Sequence, residues 1–283
     1  MGLEQLEQVR IVLVEPAGPI NVGSVARVMK NMGLHHLVLV NPQCDPVGPE
    51  AWRMAVHGRD VLEAAQIVAT LPEALMGCQR AAATTGRIDP QRHGLETPEE
   101  VMPWLLAGET HAPLRTALIF GPEDRGLSNK ELIHAQRWIR ISASDAYPSL
   151  NLAQAVAVCA YLLHRQVTAP RGPWPGSSSP RLGASTQARV AEVMGEPNTA
   201  LDFPSALESL GQPAQLDQID GFHQDLEMIL LKIGYLYPHT AASRMTKLRQ
   251  LLHRADPNSQ ELAMLRGILR QVNWAITHGP GSS

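Results

Sequence analysis

The sequence predicts an α/β protein: a parallel sheet covered by helices on both faces, followed by a linker and a small helical domain. Short β-branched runs alternate with helical patterns over the first 167 residues, which is typical of a parallel sheet. Pro, Gly and Ser dominate the chain from Thr168, and such a composition cannot hold a helix or a central strand. Amphipathic stripes return near the C-terminus. We therefore divide the chain into a first domain (residues 1–167), a linker (168–221) and a helical C-terminal domain (222–283).

Six segments of the first domain are strand candidates. Val9–Val14 and Leu37–Val40 are predicted as buried strands, because they are short, apolar and rich in β-branched residues. The weaker candidates are Gln66–Ala69, Arg80–Thr84, Thr116–Phe120 and Trp138–Ile141. In a parallel sheet, ligands bind beyond the carboxyl ends of the strands, so the segments that follow these strands are the expected place for a site.

Three helices of the first domain have recognisable ends. Asn21 is predicted to cap a helix that ends at Gly33. Ser128 and Glu131 form a capping-box pattern that opens a second helix. Asn151 is predicted to cap a third, apolar helix.

Three further helices are predicted near the C-terminus, where apolar residues recur at helical spacing. The stripes are Phe222, Leu226, Ile229, Leu230 and Ile233; Met245, Leu248, Leu251 and Leu252; and Leu262, Leu265, Leu269 and Val272. The face opposite the second stripe is predicted to carry Arg244, Lys247, Arg249 and Arg254. A three-helix bundle of this size is marginal alone, so we expect it to dock on another part of the protein.

Composition and charge exclude several classes of protein. The chain has 24 Lys+Arg against 27 Asp+Glu, a net charge of −3. No apolar run approaches the ~20 residues of a membrane span, and the acidic N-terminus lacks the pattern of a signal peptide. The 3 cysteines are widely spaced and the pair His35 and His36 lacks ligand neighbours, so we expect no disulfide framework and no metal site. These features favour a cytoplasmic protein.

Familiar cofactor and hydrolase motifs are absent, since the sequence has no GxGxxG after its first strand, no GxxxxGK[ST], no HExxH and no GxSxG. Instead, three polar segments, the first two of which contain Gly, each follow a strand candidate, at residues 15–27, 120–128 and 142–152. The first could bind a phosphate at a helix N-terminus with help from Arg27, or be an ordinary capped helix with a solvated arginine. The other two could line a ligand crevice, or be β–α loops whose acids and caps face water.

In this order, the three segments resemble the signature motifs of the SpoU-type RNA 2′-O-ribose methyltransferases of the SPOUT superfamily. Asn21–Arg27 resembles N-x-G-x-x-x-R, Phe120–Leu127 resembles F-G-x-E-x-x-G-L, and Ser149–Ala155 resembles S-L-N-x-A-x-A. Near the C-terminus, Thr246–Asp256 and Glu261–Arg270 resemble the helical extension of the TrmJ-type tRNA methyltransferases.

The resemblance implies a knotted homodimer that methylates tRNA. SPOUT domains tie a deep C-terminal trefoil knot, which strand alternation alone does not predict, since knots are essentially absent from folds in general. The TrmJ-type group transfers a methyl group from S-adenosylmethionine to the ribose of nucleotide 32, a cytidine or uridine in the anticodon loop. Carried over by motif, the donor-binding residues are Thr84, Thr85, Gly86, Phe120, Gly121, Pro122, Ile141, Pro148, Ser149 and Leu150. This donor has no pyrophosphate, so no GxGxxG motif is needed.

The resemblance also assigns the catalytic residues. Arg27 is the family's catalytic arginine, often described as the base; because the pKa of arginine exceeds ~12, we expect it instead to hold the substrate phosphate and stabilise the developing alkoxide. Asn21 and Ser149 would position the ribose and the arginine, and Glu123 would orient Asn21 or Arg27. Asn151 would cap its helix and hold the third loop. In the family's dimer, the arginine and the donor site can come from different protomers.

RNA binding is expected at the C-terminal domain, because residues 222–283 carry 7 basic and 4 acidic side chains. The candidates for contacts to the RNA backbone are Arg27, Arg244, Lys247, Arg249 and Arg254. The alternative is a solvated helix face.

Other functions stay open at the level of the sequence. The chain could methylate ribosomal RNA or another tRNA position, or be a non-catalytic RNA-binding protein that kept the fold. A nucleotide-dependent α/β enzyme of another kind is a third alternative.

Overall fold

The computed structural model describes residues 3–86, 94–107, 114–144, 146–168 and 212–278. These residues form a seven-stranded parallel sheet with helices on both faces and three further helices at the C-terminal end. The predicted fold class is therefore confirmed. Most of the predicted linker, residues 169–211, lies outside the described residues, and the domain boundaries stay a prediction.

Each of the six predicted strand segments contains a strand, although the last ends at Ile139 and not at the predicted Ile141. The strands are β1 (Val9–Val14), β2 (His36–Val40), β3 (Gln66–Val68), β4 (Arg80–Thr84), β5 (Leu95–Glu96), β6 (Thr116–Phe120) and β7 (Arg137–Ile139). Across the sheet their order is β3-β2-β1-β6-β4-β7-β5, and each neighbouring pair is parallel. The prediction missed β5, because a strand of 2 residues has no readable alternation.

The helices are α1 (Leu3–Leu6), α2 (Pro19–Asn31), α3 (Pro49–Ala55), α4 (Arg59–Glu63), α5 (Leu71–Leu75), α6 (Pro98–Leu106), α7 (Asn129–Leu132), α8 (Leu152–Thr168), α9 (Leu216–Lys232), α10 (Pro238–Ala255) and α11 (Ser259–His278). A short 3₁₀ turn, Val56–Gly58, connects α3 to α4.

The sheet separates two apolar clusters, one on each face. Successive residues of β1 alternate between them: Ile11 and Leu13 belong to one cluster, and Val12 and Val14 to the other. Because both faces are covered, the strand reads as a continuous apolar run and not as an alternating one.

The start of α2 differs from the prediction. The helix begins at Pro19 with Gly18 as its N-cap, and proline suits this position because its fixed φ fits the first turn. Asn21 therefore lies inside the helix, and the prediction that it is the cap was wrong. The C-terminal end is confirmed, since α2 ends at Asn31 and Gly33 adopts a φ of +72°.

The C-terminal helices pack against the sheet domain. α9 begins at Leu216, inside the segment predicted as linker. The amide of Leu216 donates to the carbonyl of Cys78 at 2.8 Å, and the amide of Gly77 donates to Asp217 Oδ1 at 3.1 Å. Leu216, Ile219 and other apolar residues of α9 to α11 belong to the apolar cluster on one face of the sheet. This agrees with the expectation that the bundle docks.

The strand order places β6 between β1 and β4, although both of these precede it in the chain. The trefoil knot itself stays a prediction. None of the described helices is long and apolar enough to cross a membrane.

Candidate functional site

A cleft opens at the carboxyl ends of β4, β6 and β7, where a ligand site was expected. Its volume is about 310 Å³, at the lower end of the ~300–1,000 Å³ range of small-molecule sites. The residues that line it are Thr84, Thr85, Gly86, Phe120, Gly121, Pro122, Glu123, Asp124, Arg125, Gly126, Leu127, Ile139, Ile141, Pro148, Ser149, Leu150, Leu152 and Ala155. Every residue that the sequence assigned to the methyl donor lies in this set. We call it the strand-end cleft.

Hydrogen bonds join the three motif segments beside this cleft. Asn21 Nδ2 donates to Glu123 Oε1 at 2.8 Å, and Asn151 Nδ2 donates to Asn21 Oδ1 at 2.9 Å. Glu123 also accepts from the amides of Ala17 (3.0 Å) and Gly18 (3.2 Å). The segments are distant in sequence, so this chain of hydrogen bonds exists only once the sheet has formed.

The environment of Glu123 keeps it ionised. Burial of the carboxylate opposes ionisation, but the hydrogen bonds from Asn21 and from the amides of Ala17 and Gly18 outweigh it, so the pKa of Glu123 is lowered. Glu123 thus acts as a fixed acceptor for the first motif. This matches the predicted partnership of Glu123 with Asn21; no hydrogen bond to Arg27 is present among the described residues.

Asn151 forms hydrogen bonds both with its own helix and with the first motif. Its side-chain Oδ1 accepts from the amide of Ala153 at 2.9 Å, which caps α8, while its Nδ2 binds Asn21. Ser149 is exposed at the edge of the strand-end cleft.

Two glycines give the second loop its shape. A Cβ on Gly121 would lie 2.4 Å from the amide nitrogen of Leu127, so only glycine allows the loop to fold back this closely. Gly126 has a φ of +63°, in the left-handed region that favours glycine. The loop can therefore present its backbone to the cleft.

Sequence reasoning missed the ion pairs that fix Arg125. Its guanidinium donates to Glu15 Oε2 at 2.7 Å and to both carboxylate oxygens of Glu131, at 2.9 and 3.0 Å. Burial works against ionisation of Glu131, but Arg125 and Ser128 outweigh it and hold the pKa of Glu131 at about 2. The capping-box pattern at Ser128 had singled out Glu131, although not as a partner of Arg125. No sequence pattern indicated that Glu15 pairs with Arg125.

Arg27 lies outside the strand-end cleft of its own chain. It is exposed on α2 and has no ion pair or hydrogen bond among the described residues. Glycines fix the backbone around it: a Cβ on Gly23 would lie 2.1 Å from the carbonyl oxygen of Ala51, and one on Gly58 would lie 3.0 Å from the Arg27 Cα. The close backbone contacts therefore fix the position of α2, while the guanidinium of Arg27 remains free to bind another molecule.

The basic residues of α10 do not share one face. Arg244, Lys247 and Arg254 are exposed, as predicted. Arg249 turns inward and forms an ion pair with Asp220 of α9, with its side chain 15% exposed. The grouping of Arg249 with the exposed cations needs correction, because it lies four residues after the buried Met245 and three before the buried Leu252.

Among the described residues, no group of three or more His, Cys, Asp or Glu side chains could hold a metal ion.

Comparisons with known proteins agree with the geometry. The chain matches the SpoU rRNA Methylase family over residues 8–161 and the tRNA methyltransferase TrmJ, C-terminal domain, over residues 217–280. A curated tRNA (cytidine/uridine-2′-O-)-methyltransferase TrmJ from Klebsiella pneumoniae subsp. pneumoniae is 38% identical over 94% of this chain and 97% of the relative. A protein of the same name from Cronobacter sakazakii is 38% identical over 97% of this chain and 100% of the relative. The crystal structure of TrmJ from Z. mobilis ZM4 has a TM-score of 0.71 at 27% identity, covering 93% of this chain and 98% of that chain.

Proposed function

The chain belongs to the SpoU rRNA methylase family of RNA methyltransferases and to the TrmJ group within it, and from this premise we propose that it methylates the ribose 2′-oxygen of nucleotide 32 in the tRNA anticodon loop. S-adenosylmethionine is the methyl donor, and tRNA is the substrate. The names of the curated relatives support a cytidine or uridine target.

One observation carries the proposal: the Glu123–Asn21–Asn151 hydrogen bonds unite all three motifs beside a cleft that contains every residue assigned to the donor. An ordinary set of capped helices needs neither the bonds between the motifs nor the cleft. The non-catalytic alternative is disfavoured, since it has no use for this arrangement.

The strand-end cleft fits S-adenosylmethionine in size and chemistry. Apolar side chains such as Phe120, Ile141 and Leu150 can flank the adenine, and the glycine-shaped loop offers backbone groups for hydrogen bonds. Bound there, the donor supplies an electrophilic methyl group on a sulfonium. The chain supplies alignment, and proximity effects of this kind are worth up to ~7–11 kcal/mol.

Arg27 supplies the charge that the reaction needs. Its guanidinium can bind a substrate phosphate in bidentate fashion and stabilise the 2′-alkoxide as it develops. Deprotonating an arginine of pKa above ~12 is too costly for it to act as the base. The hydroxyl proton therefore leaves to a phosphate oxygen or to water.

A homodimer explains the position of Arg27. The arginine is free and outside its own chain's cleft, which is the arrangement required if it completes the site of a partner protomer. A monomer is then nearly inactive.

The test is transfer of labelled methyl from S-adenosylmethionine to unmodified tRNA, comparing wild type, Arg27→Ala and Arg53→Ala. Arg53 is the matched control, because it is also an exposed arginine, on the adjacent helix α3. We expect label at the ribose of nucleotide 32 in the wild type and the Arg53 variant, and none in the Arg27 variant.

Calorimetry separates donor binding from catalysis. Gly86 lines the strand-end cleft, and a Cβ there meets nothing within 4 Å, so we expect Gly86→Trp to fold and its indole to obstruct the cleft. We expect S-adenosylmethionine to bind Arg27→Ala and not Gly86→Trp. Label in the Arg27 variant contradicts its catalytic role, label at another nucleotide corrects the target, and no label on any tRNA rejects the proposed function.

A further inference from the structure

A second cleft lies where the C-terminal helices meet the sheet domain. It has a volume of about 720 Å³, and its lining includes Arg80, Glu96, Trp104, Arg137, His253 and Arg254. These residues come from the start of β4, from β5, α6 and β7, and from the end of α10. The cleft shares no lining residue with the strand-end cleft. We call it the junction cleft.

Two guanidinium groups of the junction cleft lie over the ring of Trp104. The guanidinium carbons of Arg80 and Arg137 lie 5.1 and 4.6 Å from the centre of the Trp104 ring. Arg80 Nη1 donates to the carbonyls of Trp104 and Ala107, each at 2.6 Å, but its Nε is buried and has no hydrogen-bond partner. Burial and repulsion from Arg137 both lower the pKa of Arg80.

The carboxylates of the junction cleft do not balance its cations. Glu96 pairs with Arg137 at 3.0 Å, and Asp256 lies 3.4 Å from Arg80 Nη2. Arg254 is exposed and has no ion pair or hydrogen bond among the described residues. The three arginines therefore exceed the two carboxylates by one positive charge, and an anion in the open cavity would compensate it.

The lining of the junction cleft is more consistent with binding a phosphodiester of a nucleic-acid backbone than with stacking a nucleobase. Both guanidiniums lie over the Trp104 ring, which leaves that ring a poor platform for stacking. The exposed face of α10 leads into the cleft, since Lys247, Gln250 and Arg254 follow one another at helical spacing. A nucleic-acid backbone can follow this face.

We propose that the junction cleft binds a backbone phosphate of the RNA substrate, with Arg254 and Arg137 as the contacting cations and Arg80 as the buried charge behind them. The inference rests on the proposed function, because it takes tRNA as the substrate. It adds a contact on the sheet domain to those of α10, so that one RNA spans both parts of the chain.

The test is equilibrium binding of unmodified tRNA over a series of KCl concentrations. The variants are Arg254→Gln, Arg254→Lys and the double variant Arg137→Gln/Arg254→Gln. Arg270→Gln is the matched control, because Arg270 is an exposed cation of α11 that lines a different groove. Arg254 has no hydrogen bond or ion pair among the described residues, so replacing it breaks none of these contacts. Thermal unfolding checks that the double variant remains folded.

Each lost phosphate contact lowers the slope of log affinity against log salt by about 1. We expect Arg254→Gln to weaken binding by about tenfold near 0.1 M salt, the double variant to weaken it further, and Arg254→Lys to retain most of the affinity. The affinity for S-adenosylmethionine stays at the wild-type value, because the strand-end cleft is untouched.

The outcomes separate this inference from the proposed function. If the wild type methylates tRNA and the folded double variant keeps the wild-type affinity and salt slope, the inference is wrong and the proposed function stands. An equal loss of tRNA affinity in Arg270→Gln also overturns the inference, because the loss then reflects the overall charge and not a contact in the junction cleft. If the wild type neither binds nor methylates tRNA, both are rejected.

Discussion

At the scale of single residues, the site depends on a few side chains whose partners are far away in sequence. Glu123 offers two carboxylate oxygens to three N–H donors, those of Ala17, Gly18 and Asn21. Asn21 in turn accepts a hydrogen bond from Asn151, whose side chain also caps the start of α8. Because each partner comes from a different motif, the three loops are held in one arrangement before any ligand binds.

Glu123→Gln should reduce methylation and leave the fold intact. The new amide places an N–H where the amide of Ala17 needs an acceptor, and a hydrogen bond to a charged group is worth ~1.5–3 kcal/mol, or about 10- to 100-fold in rate. We expect kcat/KM for tRNA to fall by about that factor. Glu50→Gln is the control, since Glu50 is an exposed carboxylate that lines neither the strand-end cleft nor the junction cleft. Equal activity of the two variants would show that the network has no part in catalysis.

At the scale of elements, the strands and helices that were predicted correctly are those that a short-range residue pattern determines. β1 was predicted from its buried apolar run with the bounds that are observed, and so was β6, although its signal was weaker. That the motif loops lie along one edge of the sheet also follows, because parallel strands end at the same edge. Arg249 was misassigned for a different reason: its neighbours Arg244 and Lys247 are exposed, but helical periodicity places it on the face of Met245. Its partner Asp220 lies on another helix, which no local pattern reveals.

The docking of α9 and α10 on the sheet domain buries a titratable cluster. Asp220 pairs with Arg249, and His134, which follows α7, lies 3.6 Å from Asp220. His223 is 3% exposed, and neither ring nitrogen has a hydrogen-bond partner among the described residues. Burial, with a smaller contribution from Arg249, lowers the pKa of His223 to about 4 and that of His253 to about 3. Both histidines are neutral in the folded protein.

Acid should therefore loosen this docking. Below pH ~6.5 the unfolded chain takes up protons that the folded chain cannot, so each histidine lowers the free energy of unfolding by about 1.4 kcal/mol per pH unit until the pH reaches its folded pKa. We expect unfolding temperatures to be constant from pH 8 to 7 and to fall steadily from pH 6.5 to 4.5. His223→Leu should reduce this slope, whereas His239→Gln, at an exposed site of α10, should not. A pH profile that His223→Leu leaves unchanged would contradict the assignment.

At the scale of the whole molecule, local sequence patterns could predict neither the strand order nor the position of Arg27. The insertion of β6 between β1 and β4 is a long-range event, because the strands that flank it are separated in the chain by β2 and β3. Only the resemblance to a known family suggested such a topology. The same holds for Arg27, whose motif predicts a catalytic residue but whose helix keeps it out of its own cleft.

The proposed homodimer can be tested by combining two inactive chains. Arg27→Ala lacks the arginine and keeps the strand-end cleft, while Gly86→Trp keeps the arginine and fills the cleft. If the arginine acts across the interface, each mixed dimer has one intact site, and random pairing restores about one quarter of the wild-type activity. If the arginine acts within its own chain, every site in the mixture has one defect and no activity returns. Co-expression with two different tags isolates the mixed dimer, in which we expect half of the wild-type activity because one of its two sites is intact. Elution of the wild type as a monomer that methylates tRNA would exclude the shared site altogether.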